Sequence, residues 1–324
     1  ILAAYIQPSL RRAHERLAAY PQPLSYQELT SPLADAERSV VPAGVGRTIS
    51  VLASPHGTSG RTLLLVHGFK MSASTWSPVW NELRKKGHRV IAVDLPGHGE
   101  SDFSKEALSL ASLTADLRAV AEHFDIRNGA IVGHSLGGFV ATQYLLDNDV
   151  QAAERLPLGF VCLACTAGHW QHFIGGAGGN WHGNLLMNTG LFDLLMRSDM
   201  IAPLIMAKKF AKPSLPAVQV VVEASRVGAS RAALKPLSDF TWLHNLHPQL
   251  PRLRLPSVVV VGSLDDHHPH PAMSEALRRD FAATGLLRAY VVLQDVGHFF
   301  PLMQPSETVA AIECLWESHP RCRP

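Results

Sequence analysis

Gly133-His134-Ser135-Leu136-Gly137-Gly138 holds a G-x-S-x-G pattern directly after a short apolar run and directly before a helical one. A serine hydroxyl is a poor nucleophile at neutral pH. To attack a carbonyl it needs a histidine to take its proton, and that histidine needs a carboxylate to fix its tautomer and stabilise its cation. With 24 glycines in 324 positions, the pattern alone arises by chance in about one of seven such chains. Context therefore decides. A strand-turn-helix setting is what such a serine requires, because small flanking residues permit a strained turn that lifts the hydroxyl into a cleft at the carboxyl edge of a sheet. The bland alternative, a small residue at a tight turn, accounts for the glycines but not for the partners downstream.

Those partners stand in the order serine, acid, histidine. Gly262-Ser263-Leu264-Asp265-Asp266 follows the strand-like run Ser257 to Val261, and Gly297-His298-Phe299 follows the run Arg288 to Leu293. Asp265 competes with its neighbour Asp266 for the acid role. An acid placed one strand earlier is nearly excluded, since no Asp or Glu occurs between Cys165 and Asp193.

The elements that must position these groups follow from the pattern of runs. Short apolar runs at Thr62 to Val66, Arg89 to Val93, Ala130 to Val132, Gly159 to Ala164, Ser257 to Val261 and Arg288 to Leu293 predict strands. Helical spacing predicts helices at Thr75 to Lys86, Ser112 to Phe124, Phe139 to Leu146, Pro271 to Ala283 and Glu307 to Glu317. Strands alternating with helices imply an α/β fold with a mostly parallel sheet and right-handed crossovers. Leu24 to Ser54 has the Pro- and Gly-punctuated pattern of antiparallel hairpin strands. From Thr166 to about Pro256 the alternation stops. Leucine and methionine at helical spacing dominate there, Val218 to Val222 is ambiguous between strand and helix, and Gly175-Gly176-Ala177-Gly178-Gly179 reads as a hinge or loop. The interval predicts an α-helical insertion between two strands.

Four ordered motifs carry a resemblance. Leu63-Leu64-Leu65-Val66-His67-Gly68-Phe69, Asp94-Leu95-Pro96-Gly97-His98-Gly99-Glu100-Ser101, Gly262-Ser263-Leu264-Asp265 with Pro269, and Gly297-His298 fall in order at the ends of four predicted strands. Over about residues 61 to 317 the chain resembles the α/β-hydrolase superfamily. That resemblance implies an α/β-hydrolase core at residues 57–165 and 257–324, a helical cap at 166–256, and an N-terminal helix with antiparallel edge strands at 1–56. It also implies Ser135 as nucleophile, Asp265 as acid and His298 as base, with the backbone N–H groups of Phe69 and Leu136 forming an oxyanion hole. The family's spacing favours Asp265 over Asp266. Serine rather than aspartate at the elbow argues against epoxide hydrolase or dehalogenase chemistry, leaving acyl transfer to water and no cofactor.

The apolar content of the insertion, including Trp170, Phe173, Met187, Phe192 and Met196, serves packing on the core and also an adaptable acyl pocket, which His134 and Phe299 would border. This favours a small-molecule ester or lipid-like substrate with an apolar acyl or alcohol part over a highly charged one. A C–C bond hydrolase of dienoic diketones uses a similar triad, but wants Arg or Asn around its pocket for a substrate carboxylate, and these are sparse in the insertion. A haloperoxidase-like or perhydrolase side activity is compatible, and a ligand-binding receptor on the same fold is the alternative from another class. His169, His172, His267, His268 and His270 lack carboxylate or cysteine partners at ligand spacing, so no metal site is expected. His67 and His134 are expected to be structural or pocket-lining, and Asp94 to organise its loop by hydrogen bonding.

Hydrophobic residues make up 47% of the chain and charged residues 17%, the latter below the roughly 25% of an average soluble protein, which excludes a disordered chain. A net charge of +2 without basic clusters makes nucleic acid an unlikely partner. No apolar stretch approaches the roughly 18 residues a membrane span needs, so stable membrane insertion is not expected. Residues Ile1 to Ile6 are apolar and run into Arg11, Arg12, His14, Glu15 and Arg16, the reverse of a signal peptide's charge order and the pattern of an amphipathic helix. Four cysteines are too few for a disulfide framework, and Cys162 and Cys165 lie in a strand-like run. A reduced compartment, hence a cytoplasmic location, is the expectation.

Overall fold

Consecutive apolar residues bounded by turns form strands buried on both faces, the pattern that a parallel sheet between helical layers demands. A computed structural model describes residues 11–18, 25–30, 33, 35–56, 60–104, 108–126, 129–147, 159–168, 191–207, 210–231, 233–265, 271–317 and 322. Its strands are β1 (Glu37–Pro42), β2 (Thr48–Ala53), β3 (Thr62–Val66), β4 (Arg89–Val93), β5 (Ala130–His134), β6 (Gly159–Leu163), β7 (Ser257–Gly262) and β8 (Leu287–Leu293). They form one sheet in the order β1-β2-β4-β3-β5-β6-β7-β8. The β1/β2 and β2/β4 pairs are antiparallel and all others parallel. Every residue of β5, β6 and β7 is buried, whereas edge strand β8 alternates between buried and more exposed positions.

Side-chain alternation sends Leu63 and Leu65 of β3 to one face and Leu64 and Val66 to the other. The first face packs on Trp80 and Leu83 of α3 (Ser77–Lys85) and on Val309 and Ile312 of α12 (Pro305–Glu313). The second packs on Leu113 and Leu117 of α4 (Leu110–His123) and on Phe139 and Leu145 of α5 (Leu136–Asp147). Ser109 caps α4 through a reciprocal pair of hydrogen bonds with Ser112, satisfying donors that the first turn would otherwise leave unpaired. The neighbours of β3 diverge, β4 to one side and β5 to the other. This reversal opens a crevice at the carboxyl ends of β3 and β5, where ligands bind in open α/β sheets.

Between β6 and β7 the described residues form α6 (Leu191–Met196), α7 (Ile201–Ala207), α8 (Leu215–Arg226), α9 (Lys235–Leu243) and a 3-10 turn at His247–Arg252. Val218 to Val222 is helical: Pro216 stands in the first turn, and Val218, Val220, Val221 and Val222 are buried against neighbouring helices, so packing overrides the β-branched preference. The expected hairpin is present as β1 and β2, but its upstream part is helix α2 (Tyr26–Thr30), preceded by residues 11–18 as helix α1. Ser25 and Glu28 exchange side-chain and backbone hydrogen bonds of 2.7 and 3.2 Å, a local cap that favours helix there. After β7 come α10 (Pro271–Ala283), then β8 and the short α11 (Phe300–Met303).

Cys162 and Cys165 are buried free thiols, as their strand-like run predicts. Cys314 and Cys322 form a disulfide. The reading of four cysteines as too few for a disulfide framework did not anticipate that pairing; eight residues of separation bring the two together at the end of α12. Among the described residues no helix is long and apolar enough to cross a membrane.

Candidate active site

Ser135 is the single residue between the end of β5 and the start of α5, and its φ of 52° is left-handed. Holding an L-residue there costs about 1 to 2 kcal/mol, offset by the packing around it. That packing requires the flanking glycines. A Cβ on Gly133 would lie 2.4 Å from Gly138 Cα, one on Gly137 2.2 Å from the carbonyl oxygen of Val66, and one on Gly138 1.8 Å from Cys165 Sγ. The Ser135 N–H donates to the Leu163 carbonyl at 2.9 Å, and its carbonyl accepts from Gly138 and Phe139 at 3.1 and 3.2 Å. The turn is thereby tied to β6 on one side and to the helix on the other.

Asp265 and His298 come together from the ends of β7 and β8. His298 Nδ1 lies 2.9 Å from Asp265 Oδ2, with both residues buried. A carboxylate accepts, so Nδ1 carries the proton and Nε2 keeps a lone pair, the tautomer a base needs. Asp265 N donates to the Gly262 carbonyl at 3.1 Å, closing the turn that aims the carboxylate. Asp266, Pro269 and the histidines at 267, 268 and 270 lie outside the described residues.

The loop after β3 lies against the elbow because residue 68 has no side chain: a Cβ there would stand 3.2 Å from Ser135 Cβ and 3.1 Å from His134 Nδ1. Phe69 follows it, and Leu136 opens α5, where the first N–H groups have no partner within the helix and the dipole is positive. Around this crevice Asp94, His67 and His98 are tied into hydrogen bonds. Asp94 accepts from the N–H groups of Ala73 and Glu100 at 2.7 and 3.1 Å. His67 accepts from the Leu95 N–H at 3.0 Å, and His98 from the Lys70 N–H at 3.0 Å. Burial pushes both rings below the usual histidine range, His98 well below it.

Of the expected pocket residues, His134 and Phe299 border a small cavity with His67, Met71, Trp76 and Leu302. Phe192 and Met196 are buried in a cluster that also holds Met71, Phe210 and Phe299, and Phe210 stacks on Phe299 with ring centres 4.6 Å apart. Helix α1 braces this wall: Arg16 Nη2 donates to the carbonyls of Phe210 and Ala211 at 2.5 and 2.7 Å, and Ala13 and Leu17 pack into the same cluster. Trp170, Phe173 and Met187, the glycine-rich segment 175–179, and the histidines at 169 and 172 lie outside the described residues.

Sequence reasoning missed two cations at the crevice. Lys70, φ 58°, is 5% exposed, and burial lowers it to about 8; Arg231, between α8 and α9, is lowered by burial to about 10. Arg231 stands alone among small residues, so no local pattern marks it.

A family model described as "Alpha/beta hydrolase family" matches residues 63–312. The AB hydrolase superfamily protein YisY of Bacillus subtilis is 31% identical over 99 residues, which is 31% of this chain and 37% of that protein; the match thus spans about a third of the relative. The esterase EaEST from Exiguobacterium antarcticum superposes with a TM-score of 0.71 at 19% identity, covering 85% of this chain and 98% of the other. A bromoperoxidase from Bacillus anthracis gives a TM-score of 0.71 at 17% identity over 87% of this chain and all of the other.

Proposed function

The chain belongs to the alpha/beta hydrolase family, and from that premise we propose that it is a serine hydrolase cleaving carboxylic esters through an acyl-enzyme. The observation that carries this reading is the buried His298 Nδ1 to Asp265 Oδ2 hydrogen bond of 2.9 Å at the same sheet edge as a serine strained to φ 52°. The esterase of similar fold is consistent with it.

In this reading His298 Nε2 takes the Ser135 proton as Oγ attacks the ester carbonyl. Asp265 holds the ring in the required tautomer and stabilises the imidazolium. The N–H groups of Phe69 and Leu136 receive the oxyanion that develops in the tetrahedral state, where losing one such donor typically raises the barrier by about 3 to 4 kcal/mol. His298 then protonates the leaving alcohol, and a water activated by the same ring releases the acid. Residues 166–256 act as a lid, with Phe192, Met196 and Phe299 forming part of an apolar wall.

Labelling with a fluorophosphonate, followed by turnover of p-nitrophenyl esters of graded acyl length, tests the proposal. Modification of Ser135 together with ester turnover is the expected result. A protein that neither labels at Ser135 nor turns over any ester refutes it and favours a binding module.

A further inference from the structure

Arg231 presents a guanidinium with nothing from the described chain to hold. Its Cζ lies 4.9 Å from the centre of the Phe69 ring and 4.7 Å from that of Phe192, so the group rests over two aromatic rings. Its Nε is buried without an acceptor, and no described residue accepts from the rest of the group. The Asp193 carboxylate, whose charge acts on it, directs both oxygens to the backbone N–H of Arg231, at 3.0 and 3.1 Å.

Lys70, adjacent in sequence to Phe69, is a second cation, its pKa lowered by burial and further by the nearby Arg231 charge. It is buried, and its Nζ donates to the Ala229 carbonyl at 2.8 Å, leaving two of three N–H groups for other acceptors. Two cations and one carboxylate leave an excess positive charge beside the loop that follows β3. Burying a cation with an unspent donor is costly, and aromatic faces return only part of that cost. A guanidinium fork fixed by stacking is matched to a planar carboxylate.

We propose that Arg231, assisted by Lys70, binds a carboxylate carried by the substrate, so that the favoured ester is apolar near the scissile bond and anionic at its far end. This rests on Ser135 being the nucleophile.

The test compares p-nitrophenyl hexanoate with mono-p-nitrophenyl adipate, which differ in the terminal carboxylate, in wild type, Arg231→Gln, Arg231→Lys and the surface control Arg278→Gln. Wild type should prefer the adipate in kcat/KM. Arg231→Gln should lower the adipate-to-hexanoate ratio at least tenfold, Arg231→Lys less, and Arg278→Gln not at all. A ratio unmoved in Arg231→Gln, or an equal fall for both esters, overturns the proposal while leaving ester hydrolysis standing. Binding is read separately by titrating adipate into Ser135→Ala and Ser135→Ala/Arg231→Gln protein. Saturable binding lost with Arg231 supports the anion site even if neither ester is turned over, in which case the hydrolase reading alone fails.

Discussion

His134 Nε2 lies 3.0 Å from the carbonyl oxygen of His298. Because a carbonyl can only accept, the His134 ring carries its proton on Nε2 and holds the backbone of the candidate base against the elbow. The rings stand 4.9 Å apart at 47°. Burial, reinforced by the charge His298 acquires, pushes His134 down to about 3. It therefore stays neutral at ordinary pH.

Acid should therefore destabilise the protein through its buried histidines. His67, His98 and His134 all lie below the ordinary value of about 6.5, so at acid pH the unfolded chain binds more protons than the folded one. Stability from this source is full above pH 6.5 and falls with pH below it, for His134 until about 3. Each group contributes at most about 1.4 kcal/mol per pH unit. Urea midpoints between pH 4.5 and 7.5 should show this slope, and His134→Gln, which keeps a donor for the His298 carbonyl, should flatten it. An unchanged slope in that variant refutes the assignment.

Ser135→Ala should abolish ester turnover with little change in thermal midpoint, since the side chain contributes little to the core. Asp265→Asn should lower kcat by orders of magnitude, because an amide can no longer hold His298 in the required tautomer or balance its cation. Asp266→Asn should stay near wild type. Steady-state kinetics on one p-nitrophenyl ester decide, and the reverse pattern moves the acid to residue 266.

The elbow glycines should be needed for space. Gly138→Ala sets a methyl 1.8 Å from Cys165 Sγ, an overlap that typically costs about 1 to 3 kcal/mol. Cys165→Ala should partly rescue it, since a contact of 2.8 Å to Cys165 Cβ remains. Denaturant unfolding of the two single variants and the double variant measures the coupling, and strict additivity counts against a direct clash.

Truncating the apolar wall should change substrate choice before chemistry. Phe192→Ala with Met196→Ala should shift preference between short and long acyl esters by about 10- to 200-fold, the range expected for removed methylenes. An unchanged acyl-length profile places the pocket elsewhere.

The sheet and candidate site were legible because β3, β5 and β7 are apolar runs ended by a glycine motif. Runs such as Leu63 to Val66 and Val258 to Val261 admit few other readings, and Gly68, Gly133 and Gly262 mark the turns. Helix α5 begins at Leu136, earlier than Phe139: glycine disfavours helix, yet the N–H groups of Gly138 and Phe139 donate to the Ser135 carbonyl and start the helix at the elbow. Helix α2 and the Cys314 to Cys322 bond escaped because each depends on a local pairing within a segment dominated by other signals. The contact of Arg231 with two aromatic rings joins residues 69, 192 and 231, a proximity that no spacing along the chain encodes.

The grip of Arg16 on the carbonyls of Phe210 and Ala211 spans nearly two hundred residues. On a ribosome making about 5 to 20 residues per second, helix α1 emerges at least several seconds before its docking wall exists. Closing so long a loop is slow, and until it closes the apolar side of the helix, with Ala13 and Leu17, has no native cover. Docking of α1 is thus a late event, completing the wall behind Phe299 only after the chain that carries that wall has been made.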